Sequence, residues 1–194
     1  MDIQLAFTSS AAPDLDVDLL AVVIDDPANA PAVVAELDEL LGGSLGRELE
    51  RERVKGDAPS SIVVTGAATG PQRVVLVGFG PEAEGRSDAL RVAGNRIASA
   101  ARASEARTVA IAGLTEAADV AALTSGATIG DYRIHHHRSD AAAGSEDKPR
   151  YFGIETLTLF TGELEIGGGE VVAELLFRPS ADDYRCHCLA TDQP

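Results

Sequence analysis

The residues able to ligate a metal softly are few. The chain has four histidines and two cysteines. His135, His136 and His137 are consecutive. Neighbours on a strand point to opposite faces, and on a helix they fan about 100° apart, so three imidazoles in a row do not converge on one ion. The simpler reading is an exposed stretch after a helix, with adventitious metal binding as the alternative. Cys186-His187-Cys188 offers three further donors. A zinc site needs four, usually with two residues between cysteines, and the fourth would have to come from the histidine run. The acidic pairs Asp25-Asp26 and Asp182-Asp183 lie beside a proline and in a polar tail. Carboxylates so placed are solvated, and no titratable pair is set for acid–base work. The chain holds no G-x-S-x-G, no H-E-x-x-H and no Walker P-loop.

One glycine-rich stretch has the form of a ligand loop. Gly78-Phe79-Gly80-Pro81-Glu82-Ala83-Glu84-Gly85 follows an apolar run and precedes a helical pattern. Glycines there let a phosphate approach the N–H groups of a helix N-terminus. Against this, the spacing is not G-x-G-x-x-G, Pro81 removes a donor, and Glu82 and Glu84 repel an anion. Gly78, Gly80 and Gly85 are the candidate loop positions, beside the plainer reading of a strand-to-helix connection.

The elements that would hold these residues alternate between strand and helix. Ile3 to Phe7 alternates as a half-buried strand does, and Leu19-Leu20-Ala21-Val22-Val23-Ile24 is the continuous apolar run of a strand buried on both faces. A helix follows, with Asn29 or Ala30 as its cap, Pro31 in its first turn, and Val33, Val34, Leu37, Leu40 and Leu41 as its stripe; Gly42-Gly43 ends it. Leu45 to Val54 is a second short helix. Ser61–Thr65 and Arg73–Gly78, joined by Gly66–Pro71, pair as a hairpin, which makes the sheet mixed. Ser87 caps a helix that buries Leu90, Ala93, Ile97 and Ala100 or Ala101. Thr108–Ala112 is a strand. Thr115 caps a helix packed through Ala118, Ala121, Ala122, Ser125 and Ile129. Residues 139–150 form a linker, and Glu155–Phe160 an edge strand. Val171–Phe177 is a short helix or strand. The pattern predicts an α/β fold: a three-layer α-β-α sandwich with a mixed sheet.

Composition narrows the partners. At 194 residues, with 45% hydrophobic and 24% charged residues, the chain is of ordinary globular type and long enough for one domain of about 150 residues plus an appendage. Its net charge of −15, with Lys55 and Lys148 its only lysines, opposes a general grip on nucleic acid or an anionic membrane. Arg47, Arg51 and Arg53 alternate with Glu48, Glu50 and Glu52, so no local basic patch results. No apolar run reaches the roughly 18 residues of a membrane span, and the start lacks the basic and apolar regions of a secretory signal. Two cysteines make no disulfide framework, so a cytoplasmic location is expected.

Four segments in order resemble the N-terminal domain of the leucine aminopeptidase (cytosol aminopeptidase) family: Leu37–Arg47, Val54-Lys55-Gly56, Arg73–Gly80, and Leu90–Gly94 followed by Gly126–Arg133. The likeness spans about residues 15–160. It implies a macro-domain-like fold over residues 1–165, followed by a C-terminal tail, 166–194, that departs from the family pattern after Glu174, as a frameshift or truncation would produce. It also implies a separate catalytic domain with two divalent metals, zinc or manganese, which removes N-terminal amino acids from peptides. That domain's signature, Asn-Thr-Asp-Ala-Glu-Gly-Arg-Leu, has no counterpart here. No catalytic, cofactor or metal residue therefore carries over, and the chain alone is expected to be inactive. The resemblance implies a role in hexamer assembly, with further copies of the chain or a catalytic aminopeptidase domain as partner. The alternative it allows is a macro-type module binding ADP-ribose or a similar nucleotide at Gly66–Gly70 and Gly78–Gly85. Some members bind DNA through this region; the charge speaks against that use here.

Overall fold

The computed structural model describes residues 3–8, 10–24, 30–51, 60–65, 69–79, 85–131, 144–145, 148–149 and 153–160. They form a six-stranded sheet between two helical layers. In chain order the elements are β1 (Gln4–Thr8), a 3-10 turn (Ala12–Asp14), β2 (Leu19–Ile24), α1 (Ala32–Leu40), α2 (Ser44–Glu50), β3 (Ser60–Thr65), β4 (Arg73–Gly78), α3 (Arg86–Ser104), β5 (Thr108–Ala112), α4 (Ala117–Asp131), β6 (Gly144–Ser145), β7 (Lys148–Pro149) and β8 (Thr156–Phe160). The sheet order is β1-β8-β5-β2-β4-β3. Every pair is parallel except β3–β4, the hairpin that the short connection predicts. β6 and β7 make a separate two-residue pairing inside the expected linker.

β2 sits near the sheet's middle, and all six of its residues are buried. Leu19, Ala21 and Val23 join Val75, Val77, Val109, Ile111, Leu157 and Leu159 under α3 and α4. Leu20, Val22 and Ile24 join Val74, Leu76, Ala110 and Ala112 under α1 and α2. Two dry faces require an uninterrupted apolar run, which is how this strand reads in sequence. Parallel neighbours require a crossover, and the helices supply it.

The α3 face follows the expected positions, with Leu90, Ala93, Ile97, Ala100 and Ala101 buried. Four expectations need correction. The strand at 156–160 is interior, between β1 and β5, rather than an edge. Its alternation reports that only one face is dry: Leu157 and Leu159 are covered, whereas Thr158 is half-buried on the other face. Helix α4 buries Val120, Ala122, Leu123, Thr124 and Ala127, while Ala118 is exposed and Ile129 is 67% exposed. Its residues are small or apolar nearly all round, so periodicity gave no phase. Finally, α3 starts at Arg86, with Gly85 rather than Ser87 at its N-cap. Pro31 likewise lies just before α1. Asn29 and Val171–Phe177 lie outside the described residues.

Helices α3 and α4 approach backbone to backbone. A Cβ on Gly126 would lie 2.0 Å from the Arg91 carbonyl oxygen, and one on Gly94 would lie 2.0 Å from that of Leu123.

Candidate functional site

The carboxyl ends of β2, β4, β5 and β8 share one edge of the sheet. The chain leaves β2 toward α1 on one face, and leaves β4 and β5 toward α3 and α4 on the other. Loops diverge at such an edge, and open α/β sheets hold their ligands there. Gly78, where the glycine stretch begins, lies at this edge. Gly78 is the last residue of β4, in register with Ile24 and Ser60. Gly85 sits exposed before α3 with φ +103°, a conformation that suits glycine. Gly80, Pro81, Glu82 and Glu84 lie outside the described residues.

Between those glycines the structure places a clasp that sequence reading missed. Phe79 is buried, and its N–H donates to the Ile24 carbonyl (3.2 Å). The Arg86 guanidinium stacks over the Phe79 ring, 4.8 Å from its centroid. The same guanidinium grips Asp119 at both oxygens: Nε donates to Oδ1 (3.1 Å) and Oδ2 (2.9 Å), and Nη2 donates to Oδ2 (2.6 Å). Asp119 is buried in the first turn of α4. A forked, charge-assisted pair of this kind is strong and directional, and it ties the end of β4 and the start of α3 to α4. Arg86 is therefore committed to a carboxylate within the fold, at the spot where an anionic ligand would want it. One sequence signal pointed here: Asp119 and Asp131 are the only charged residues of α4. A lone charge on an apolar helix is usually buried and paired.

The opposite edge carries a second carboxylate anchor. Asp18 accepts from the N–H groups of Arg107 (2.8 Å) and Thr108 (2.9 Å), and from Gln72 Nε2 (3.2 Å). Its own N–H donates to Thr108 Oγ1. Burial pushes the carboxyl up, but the Thr108 and Arg107 N–H groups, the Thr108 hydroxyl and the Arg107 charge outweigh it and hold the pKa below the usual carboxylate value. Asp131, buried at the end of α4, accepts from the Ile154 N–H (2.8 Å).

Among the described residues, no three His, Cys, Asp or Glu side chains come together to hold a metal. Asp119 is bound to Arg86 and Asp131 to the Ile154 N–H, so these two carboxylates do not fit a dinuclear metal centre. Asp25-Asp26, His135–His137, Asp182-Asp183 and Cys186–Cys188 lie outside the described residues, as does Arg53. Arg51 pairs with Glu48 at 2.8 Å. No described helix is long and apolar enough to cross a membrane.

A groove of about 720 Å³ runs along the outer surface between α3 and α4, lined by Arg91, Val92, Asn95, Arg96, Ser99 and Ile129 among others.

The model of the cytosol aminopeptidase family N-terminal domain matches residues 20–141. A rice (Oryza sativa subsp. japonica) protein bearing the name leucine aminopeptidase 1 is 30% identical over 166 aligned residues, covering 69% of this chain and 30% of the relative. The apo leucyl aminopeptidase of Trypanosoma brucei superposes with a TM-score of 0.55 at 18% identity, over 91% of this chain and 36% of that one. The macro domain of ganglioside induced differentiation associated protein 2 superposes with a TM-score of 0.64 at 12% identity, over 91% and 86%. The fold is thus macro-domain-like, and the chain spans about a third of the length of the aminopeptidases it resembles.

Proposed function

Because the chain belongs to the cytosol aminopeptidase family, in the part that the family's N-terminal domain occupies, we propose that it is a non-catalytic domain of a leucyl aminopeptidase and serves to assemble the oligomer. The observation that carries this reading is the family match over residues 20–141. Release of N-terminal amino acids from peptides, with two divalent cations, would then fall to other parts of the enzyme, in a cytoplasmic setting. Sedimentation velocity on the purified chain tests the assembly role. We expect species at multiples of 20.1 kDa, and a single 20.1 kDa species at all concentrations would overturn it.

A second reading, a nucleotide-binding macro-type module, draws on the fold likeness to a macro domain. The glycine loop at the carboxyl edge supports it; the engagement of Arg86 by Asp119 weighs against it. Titration with ADP-ribose separates the two. Assembly alone predicts neither heat nor thermal shift, and saturable binding lost on replacing Gly85 would favour the module.

A further inference from the structure

The outer face of the α3–α4 layer is unlike the surface of a strongly acidic chain. Among the described residues, three large hydrophobic side chains stand exposed, and two of them, Val92 at 45% and Ile129 at 67%, line the groove here. The outward positions of α4, Ala118, Thr128 and Ile129, carry no charge, and its two carboxylates point inward. The groove's polar lining is Arg91, Asn95, Arg96 and Ser99, with no carboxylate; Asp88 contacts Arg91 from its edge at 2.6 Å. In a chain of net charge −15, this face combines apolar contact with positive charge.

The opposite layer presents the complement. On α1, Val34 and Leu37 turn inward, and Ala32, Ala35, Glu36 and Glu39 are exposed. Their spacing puts two methyl groups and two carboxylates on one helical face. We propose that the groove between α3 and α4 receives the outer face of α1 from a second copy of this chain, with Glu36 and Glu39 meeting Arg91 and Arg96 and the two alanines packing on Val92 and Ile129. The inference rests on the assembly reading and names its surface. The two faces lie on opposite sides of one sheet, so the contact is front to back. Such a heterologous contact closes into a ring or continues as a filament, and does not stop at a two-fold dimer. Opposite charges at its rim make it sensitive to salt.

The test is sedimentation velocity on two double variants, Arg91→Glu with Arg96→Glu, and Glu36→Arg with Glu39→Arg. All four positions are exposed, and melting curves check folding. Each variant alone should associate at least about tenfold more weakly, because like charges then face each other. An equimolar mixture should regain the association, because native groove meets native α1 and reversed groove meets reversed α1. Raising sodium chloride from about 0.05 to 0.5 M should weaken wild-type association by a similar factor. Variants that assemble like wild type, a mixture no better than its parts, or salt-insensitive assembly would each overturn this contact while leaving the assembly role standing. A wild type monomeric throughout would remove both.

Discussion

Replacing Gly126 by alanine tests whether the α3–α4 contact is closed at the backbone. On helix propensity alone the change should help, by about 1 kcal/mol. The structure reverses the sign. The added Cβ would stand 2.0 Å from the Arg91 carbonyl oxygen and 2.6 Å from the Arg91 carbonyl carbon and Cα. Ordinary contacts between such atoms are about 3.5 Å, and backbone cannot rotate away as a side chain can. The helices must part by more than about 1 Å, which loosens Leu90, Ala93 and Ile97 against Leu123 in the shared core. Overpacking of a core costs about 1–3 kcal/mol where side chains yield. With rigid backbone on one side and the propensity gain offset, the net loss is about 2–4 kcal/mol. For a chain of this size that is a fall in Tm of roughly 5–15 °C. The assay is calorimetry or urea unfolding of Gly126→Ala beside Gly46→Ala. At Gly46 the three atoms nearest the new Cβ all belong to the Asp38 side chain, the first at 3.0 Å; a side chain can yield where backbone cannot, so stability should change little. Equal or raised stability of Gly126→Ala would refute the close approach.

Other expectations concern the two carboxylate anchors and one glycine. Asp18→Asn should cost about 1–3 kcal/mol at pH 7, since a neutral amide oxygen accepts more weakly than the carboxylate from the two backbone N–H groups, and the amide NH2 would face the Gln72 donor. The Asp18 pKa is lowered on folding, so its contribution is present above the unfolded value near 4 and is lost as pH falls through the folded value. The gap between wild type and variant in urea unfolding should therefore close below about pH 4; a gap constant down to pH 2 would contradict this. Arg86→Ala leaves Asp119 without its forked partner and should lower stability by about 1–3 kcal/mol, less than for a wholly buried pair because Arg86 is partly exposed. The double variant with Asp119→Ala should lose less than the sum of the singles, as thermal unfolding of all four proteins will report. Gly153→Ala forces φ +117° on a residue with a Cβ and brings that atom to 2.3 Å from Asp131 Oδ2. A loss of at least about 2 kcal/mol in denaturant unfolding is expected.

Much of the sheet was legible because its strands are extreme cases. Six consecutive apolar residues at Leu19–Ile24 fit only a strand covered on both sides, and Gly66–Gly70 leaves room only for a hairpin between its flanking strands. α3 was readable because arginines and serines mark its wet side. α4 was not, because a helix of alanine, threonine and glycine has no polar stripe to fix its rotation. β8 looked like an edge because alternation measures face coverage, not position within a sheet. Gly78 and Gly85 could be placed on either side of a strand-to-helix loop from spacing alone. The Arg86–Asp119 clasp could not: its partners are 33 residues apart, and only the packing of α4 against α3 brings them together.

The central claim is that this chain builds a scaffold and leaves peptide cleavage to other parts of the enzyme. Its most direct test is hydrolysis of leucine-p-nitroanilide by the purified chain in manganese or zinc. We predict no release of nitroaniline above the protein-free rate, whereas metal-dependent turnover that a chelator abolishes would contradict the account.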